Sequence, residues 1–202
     1  MYIPKSFAET DVVTLYQFMR DNNFASLVTG NLVATHLPFL VDTERGVLRA
    51  HLARANDQWK SFDGREALVI FTGPHAYVTP TWYDAHPSVP TWNYTAVHVY
   101  GVPTIVEDEA ATRELLRDLV ENHEQGRQPE WQMALPEDYL HTMIQAVVAF
   151  ELPMTRVEGK FKLSQNRSEA EQQNVATELS NSPSAAERAT GALMESRRGE
   201  MA

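Results

Sequence analysis

The stretch that decides the fold runs from Phe71 to Gly101 and reads FTGPHAYVTPTWYDAHPSVPTWNYTAVHVYG. A proline-bounded loop at Asp84–Pro90 separates two halves that both have the composition of β-strands. The second half, Trp92–Val102, predicts one long strand in which alternate residues share a face. One of these faces carries Trp92, Tyr94, Ala96, His98 and Tyr100. Aromatic and histidine side chains on a sheet can line a flat ligand, and a core with a polar rim is the alternative.

Strand patterns recur on both sides of this stretch. Leu68–Phe71 predicts a short buried strand, and residues 72–74 predict a break before the strand resumes at His75–Thr79. Further strands are predicted at Phe24–Thr29, Leu32–Val41, Val47–Leu52 and Val148–Val157, with Pro38 indicating an edge or a bulge. About seven strands, mostly in hairpins, predict an antiparallel sheet that closes or nearly closes, and therefore an α+β barrel.

Helices are predicted between and after the strands. A capping box at Ser6–Glu9, or a cap at Thr10 or Asp11, starts a helix that continues to about Asn22. A short helix follows Asn56, another is capped by Asp108, and a third begins near Pro136. The last 35 residues, from Ser168, predict one or two weakly amphipathic helices broken at Ser182-Pro183.

Composition limits the classes of function. The chain has 202 residues, no cysteine and a formal net charge of -10. It therefore has no disulfide framework, and broad electrostatic binding of nucleic acid is not expected. The first residues lack the apolar region of a signal peptide, and no apolar run reaches the ~18 residues of a membrane span. These features favour a cytoplasmic protein.

Several catalytic motifs are absent from the sequence. Five of the seven histidines lie between His36 and His98, yet the chain has no HExxH motif, so a metal site is not expected. It has no G-x-S-x-G elbow, Walker A loop or G-x-G-x-x-G motif either. What remains is an aromatic-walled barrel with four positive side chains, which suits a flat phosphorylated cofactor. The four are Arg54, Lys160, Lys162 and Arg167.

Arg54 is the first candidate for an anion contact. It lies where a predicted strand gives way to a short helix, and the free N–H groups at a helix start attract anions. An ordinary exposed arginine is the alternative interpretation.

Several long motifs in the same order resemble the PaiB family of FMN-binding negative transcriptional regulators, within the flavin-reductase-like split-barrel superfamily. The resemblance covers residues 1 to about 167. It rests on MYIPKSF at the start, HLARAN at 51–56, GPHAYVTPTWY at 73–83, VPTWNY at 89–94 and KLSQNR at 162–167.

This resemblance implies an antiparallel split β-barrel of the pyridoxamine-phosphate-oxidase-like type over residues 1–167, with flanking helices and a helical tail at 168–202. It also implies a homodimer with FMN in two symmetric sites at the interface. By position, the cofactor-binding residues would be Thr35, His36, His51, Leu52, Ala53, Arg54 and Asn56. The partner chain would contribute a wall from Trp92, Asn93, Lys160 and Gln165.

Three functions remain open at this point. The first is an FMN-binding regulator that acts indirectly, because no basic recognition helix is visible and direct DNA binding is not expected. The second is a flavin-dependent oxidoreductase that acts on a small molecule, for which no catalytic residue is identified. The third is a haem-binding split barrel.

Overall fold

The computed structural model describes residues 1–199, which form ten β-strands and five α-helices. The strands are β1 (Ala8–Glu9), β2 (Phe24–Val28), β3 (Ala34–Pro38), β4 (Leu40–Asp42), β5 (Val47–Ala53), β6 (Ala67–Val78), β7 (Thr91–Gly101), β8 (Thr104–Ile105), β9 (Val147–Pro153) and β10 (Arg156–Lys162). The helices are α1 (Val12–Asp21), α2 (Glu109–Glu124), α3 (Glu137–Gln145), α4 (Glu169–Ser180) and α5 (Ala185–Gly199). Short 3₁₀ helices lie at Lys5–Phe7, Asp57–Ser61 and Pro80–Trp82.

The strands form two sheets. One has six strands in the order β1-β10-β7-β6-β2-β3, and the other has four in the order β4-β5-β9-β8. Pairs such as β2–β3, β4–β5 and β5–β9 are antiparallel, which confirms the predicted sheet type. Strand β3 lies at the edge of the larger sheet, which is one of the two positions that Pro38 indicated. Proline has no backbone N–H to donate, and an edge strand tolerates this because one of its sides has no neighbouring strand.

The chain divides into two compact units, each assembled from separate segments. Unit 1 contains Met1–Phe18, Thr72–Val97 and the described residues from Glu158 onward, and unit 2 contains Met19–Phe71 and His98–Val157. The two C-terminal helices therefore belong to the same unit as the N-terminus.

In unit 1, α1 and the C-terminal helices supply the core. Helix α1 begins at Val12 because the Asp11 carboxylate accepts the backbone N–H of Thr14 at 2.8 Å. The ring of Phe18 packs on that of Phe161 with centroids 5.0 Å apart. A capping box between Ser168 and Glu171 starts α4, and the predicted break at Ser182-Pro183 separates α4 from α5. The cap predicted at Asp11 is thus confirmed, whereas the capping box predicted at Ser6–Glu9 is wrong.

In unit 2, Phe39 divides a stretch that the sequence predicts as one strand. Its side chain is fully buried, and its ring lies 5.9 Å from Phe71 and 6.2 Å from Phe150. Its backbone N–H donates to the carbonyl of Asn23. The predicted strand Leu32–Val41 is therefore wrong as a single element, because this anchor ends β3 and starts β4 in the other sheet.

Two further strand predictions need correction. The break at residues 72–74 is absent, since β6 is continuous through Gly73. A Cβ there would lie 2.4 Å from the Thr95 hydroxyl oxygen and 2.6 Å from the Phe18 ring, so this glycine permits close approach and does not make a turn. The strand predicted at Val148–Val157 ends at Pro153, and β10 then begins at Arg156.

The helices of unit 2 follow the sequence closely. Helix α2 starts after Asp108, whose carboxylate accepts the N–H of Ala111 at 2.8 Å, and α3 starts after Pro136, both as predicted. The buried side chains Leu115 and Leu119 pack α2 against Ala149 of β9.

Candidate functional site

The polar cluster of unit 2 joins two segments that are distant in sequence. The side-chain amide of Asn56 donates to the hydroxyl of Thr35 at 2.9 Å, which links β3 to the turn after β5. The side-chain oxygen of Asn56, Oδ1, accepts the backbone N–H of Gln58 and so caps the 3₁₀ helix at Asp57–Ser61. Two of the predicted binding segments are therefore adjacent, and one residue positions both.

Gln58 holds this cluster in place, although the sequence did not single it out. Its buried amide donates to the backbone carbonyls of Leu27 at 3.1 Å and Val33 at 2.9 Å. Its Oε1 atom is buried and has no hydrogen-bond partner among residues 1–199. The amide therefore fixes the β2–β3 hairpin against the 3₁₀ helix.

Arg54 has a structural role that its sequence position did not reveal. Its guanidinium donates to the backbone carbonyls of Gln145 and Val147, each at 2.7 Å. The backbone N–H of Arg54 donates to the backbone carbonyl of Ala146. Arg54 therefore joins the end of α3 to β9 through three hydrogen bonds. A cation at a helix C-terminus satisfies orphan carbonyls and favours the helix dipole. Its predicted contact with a cofactor phosphate stays a prediction.

The other predicted residues of unit 2 differ in exposure. His36 is exposed, and its Nδ1 lies 2.7 Å from the hydroxyl of Ser26. Ala53 is also exposed, whereas Leu52 is buried in the core. His51 is half-buried, and its Nδ1 has no hydrogen-bond partner among residues 1–199. Burial lowers the pKa of His51, so its imidazole is neutral at pH 7.

In unit 1, three neighbouring strands present an aromatic and cationic surface. The rings of His75 and Tyr77 on β6 lie 6.2 and 6.1 Å from the ring of Trp92 on β7. Tyr94 shares the face of Trp92, and the Lys160 ammonium on β10 lies 5.2 Å from its ring centroid. We call this surface the aromatic–cationic face; it consists of His75, Tyr77, Trp92, Tyr94, Lys160 and Lys162.

The two lysines of this face contact neutral groups. The Lys160 ammonium donates to the backbone carbonyl of Tyr2 at 3.0 Å. The Lys162 ammonium donates to the hydroxyl of Thr91 and to the carbonyl of Trp92, each at 2.6 Å. Burial, and then the charges of Lys160 and Arg167, lower the pKa of Lys162. The sequence identified the positive cluster but did not place Lys162 among the cofactor-binding residues. The spacing of two residues between Lys160 and Lys162 could have indicated that both side chains lie on the same face of the strand.

Asn93 and Gln165 lie on the inner side of unit 1. Asn93 is fully buried, and its amide donates to the hydroxyl of Ser164 at 2.9 Å and lies 3.5 Å from the Met194 sulfur. Gln165 accepts the N–H of Leu163 and donates to the carbonyl of Phe161. Both side chains brace the end of β10, where Ser164 has a positive φ of 67°. Their predicted place in a cofactor wall stays a prediction.

Arg167 lies beside the loop that follows β6. Its guanidinium stacks on the ring of Tyr83 at 4.0 Å and donates to the hydroxyl of Ser88 at 3.2 Å. Within residues 1–199, no group of three or more His, Asp or Glu side chains is arranged to hold a metal ion. None of the helices described there is long and apolar enough to cross a membrane.

Solved structures share this architecture. The flavocytochrome Anf3 from Azotobacter vinelandii superposes with a TM-score of 0.63 at 16% identity, covering 79% of this chain and 72% of that chain. The FAD and heme binding protein from Mycobacterium smegmatis gives a TM-score of 0.60 at 18% identity, with 77% and 73% coverage. The fold is therefore an α+β antiparallel split β-barrel with flanking helices, as the resemblance implied.

Sequence comparison then shows the family. The family model described as "Putative FMN-binding domain" matches residues 1–156. The Protease synthase and sporulation protein PAI 2 from Bacillus subtilis is 36% identical over 203 residues, covering 96% of this chain and 97% of the relative. An uncharacterized protein from Aspergillus fumigatus is 30% identical over 232 residues, with 87% and 89% coverage. The chain belongs to the PaiB family of FMN-binding split-barrel proteins.

The residues present fit a flavin mononucleotide in chemical type. Unit 2 offers the hydroxyl of Thr35 and the amide of Asn56, which suit the polar edge of a flavin ring. Unit 1 offers exposed aromatic rings and two ammonium groups, which suit a flat ring system and a phosphate.

Proposed function

We propose that the chain binds FMN at strand β3 and at the turn after β5, as a homodimer whose second copy completes the site. The hydrogen bond between Asn56 and Thr35 is the observation that carries this proposal. It brings together two segments that the family resemblance implied separately. The proposed contacts in unit 2 are Thr35, His36, His51, Leu52, Ala53, Arg54 and Asn56.

The second copy would contribute Trp92, Asn93, Lys160 and Gln165. Within this set, the exposed ring of Trp92 and the ammonium of Lys160 are the groups suited to touch a cofactor. Asn93 and Gln165 would act through the backbone that they brace. Bound FMN supplies hydride and single-electron chemistry, and the protein's contribution is to bind and orient it.

We infer that any regulatory role is indirect and is exercised in the cytoplasm. The chain has 17 basic against 27 acidic residues, so its surface opposes the phosphate contacts on which protein–DNA affinity depends. Arg197 and Arg198 are adjacent basic residues in the last turn of α5, but Arg197 pairs with Glu9. A small-molecule substrate or effector, read out through the flavin, is the alternative to direct DNA binding. The lack of cysteine fits a reducing compartment.

The central experiment is a titration of the apoprotein with FMN, followed by flavin fluorescence. Asn56→Ala and Thr35→Val should each weaken FMN roughly tenfold, the effect of losing about one hydrogen bond at a buried site. Asn174→Ala, an exposed amide on α4, is the matched control and should bind as wild type does. A wild-type chain that does not bind FMN, or variants that bind it unchanged, would contradict the proposed site.

A second titration distinguishes the contribution of the FMN phosphate to binding from that of the flavin ring. Arg54→Ala should weaken FMN roughly 10- to 100-fold, the range for a charge-assisted hydrogen bond, and should leave riboflavin unchanged. Equal losses for both ligands would mean that Arg54 acts only by joining α3 to β9.

Assembly and DNA binding have their own tests. Light scattering at micromolar concentration should show a dimer, and a stable monomer would remove the shared site. Fluorescence anisotropy against the promoter upstream of the chain's own gene, at physiological salt with and without FMN, should show no specific binding. Nanomolar binding that resists competitor DNA would make regulation direct.

A further inference from the structure

The aromatic–cationic face of unit 1 exposes several aromatic side chains to water in the single chain. The exposed fraction is 54% for Trp92 and 43% for Tyr77, and Tyr2, whose ring lies 5.5 Å from the Lys160 ammonium, is 82% exposed. Contiguous exposed aromatic surface of this kind marks a binding site more often than a free surface. The opposite face of the same strands is buried, through residues such as Ala76, Asn93 and Phe161.

The two lysines of this face follow Glu158 on β10, and the carboxylate of Glu158 pairs with the N-terminal ammonium of Met1 at 2.6 Å. Lys160 and Lys162 are two residues apart on β10, so their side chains leave the same face about 7 Å apart. Within residues 1–199, neither forms an ion pair with an Asp or Glu side chain, although the chain has 27 acidic residues. Lys160 is only 8% exposed. Bringing two partly desolvated cations together is unfavourable without an anion.

Each ammonium also has donor capacity left. Lys160 gives one N–H to Tyr2 O, and Lys162 gives two, to Thr91 and to the carbonyl of Trp92. An ammonium has three donors, so at least one N–H on each lysine is available. The two acceptors hold the Lys162 ammonium at the hydroxyl of Thr91 and the backbone carbonyl of Trp92, where it also lies 5.7 Å from the ring centroid of Phe7.

We propose that the aromatic–cationic face binds a small planar anion, a conjugated or aromatic carboxylate, next to the FMN that Trp92 and Lys160 would touch, with its ring at the edge of Trp92 and its carboxylate at Lys162. The inference rests on the proposed function, because such a molecule would be the substrate or effector that meets the flavin. The rings supply a flat apolar contact, and the ammonium groups supply the opposite charge.

Other occupants fit these groups less well. A polynucleotide would meet a chain of net charge -10. An apolar peptide would leave both lysines desolvated without a counter-charge. A free inorganic anion would use the lysines and leave the aromatic rings exposed.

The test is a calorimetric titration of the FMN-loaded protein with nicotinate and with nicotinamide, which share a ring and differ in charge. Nicotinate should bind with a dissociation constant in the range of about 0.1–10 mM, and nicotinamide should bind at least roughly tenfold more weakly. The loss of one charge-assisted contact in Lys162→Met should weaken nicotinate roughly tenfold, and Lys162→Arg should restore most of the affinity.

A matched control comes from a second lysine beside a tryptophan. The Lys60 ammonium lies 5.7 Å from the Trp59 ring but pairs with Asp57 at 2.6 Å. Lys60→Met should therefore bind nicotinate as wild type does. Trp92→Leu should weaken nicotinate and nicotinamide alike, because both use the ring.

The outcomes separate this proposal from the flavin site. Flavin absorbance measures FMN occupancy in every variant before the titration. A protein that retains FMN but binds both ligands equally, or binds neither up to about 10 mM, overturns the planar-anion proposal alone. A Lys162→Met variant that binds nicotinate as wild type does overturns it as well, and a change of oligomeric state in that variant would assign the face to dimer contacts. Wild-type protein that takes up no FMN overturns the proposed function; the titration is then run on the apoprotein, where the same outcomes decide for or against the face.

Discussion

Two arginines of unit 2 and two lysines of unit 1 have different kinds of partner. In unit 2, Arg49 pairs with Asp118 at 2.6 Å and approaches Glu151 at 3.7 Å, and Arg45 pairs with Glu151 at 2.7 Å. In unit 1, Lys160 and Lys162 contact carbonyls, a hydroxyl and aromatic rings instead. The first arrangement neutralises charge inside the protein, whereas the second leaves charge for an external anion. At these four positions the kind of partner separates cations that balance charge within the fold from cations that keep charge for a ligand.

Removing a paired cation from unit 2 should have the largest effect on stability. Arg49→Met leaves the partly buried carboxylate of Asp118 without its cation, whereas Glu151 keeps its ion pair with Arg45. We expect the free energy of unfolding to fall by about 2 kcal/mol, below the cost of breaking a fully buried pair because these groups keep some solvent. Urea denaturation followed by circular dichroism measures this. An unchanged free energy of unfolding would mean that Arg49 does not stabilise the fold more than the lysines of unit 1 do.

Acid should destabilise unit 2 through His51. Burial lowers the pKa of His51 in the folded state below its unfolded value of about 6.5. Well above that value the imidazole is neutral in both states and adds no pH dependence to the stability. As the pH falls below it, the unfolded state binds the proton more readily, so stability decreases until the folded pKa is passed.

Thermal unfolding between about pH 7.5 and 5 should show this loss, and His51→Gln should reduce it. A wild-type profile that is flat across this range would show that His51 is not desolvated.

Removing a cation from the aromatic–cationic face should have a small effect on stability. Lys162→Met loses two hydrogen bonds to neutral acceptors but relieves repulsion from Lys160 and Arg167. We expect the free energy of unfolding to change by less than about 1 kcal/mol. The same denaturation series used for Arg49→Met provides the comparison, and a loss as large as in that variant would make Lys162 a structural residue.

The exposed ion pair between Lys60 and Asp57 of unit 2 should contribute least to stability among the positions compared. Lys60 and Asp57 form an ion pair at 2.6 Å, but both side chains are mostly exposed. Solvent and salt screen such pairs, so Lys60→Met should leave the urea midpoint unchanged. A clear shift of the urea midpoint would mean that an exposed ion pair in this unit can stabilise the fold as a partly buried one does.

Local patterns in the sequence determined much of the architecture. Alternation placed Trp92 and Tyr94 on one face of β7, the carboxylate of Asp108 marked the start of α2, and Ser182-Pro183 separated the last two helices. These signals are local, because side-chain direction, N-caps and proline geometry act within a few residues. The motifs between residues 1 and 167 also identified the family.

Contacts between distant segments were decided only by the tertiary structure. Arg54 joins carbonyls about ninety residues away, and Lys162 donates to Trp92 O seventy residues away. Phe39 splits a predicted strand because it packs on Phe71 and Phe150. Period-2 spacing states which residues share a face but not which strands are neighbours or which groups a side chain meets across them. The sequence therefore determined the type of fold and the family, and the pairing of strands decided which cations remain available to a ligand.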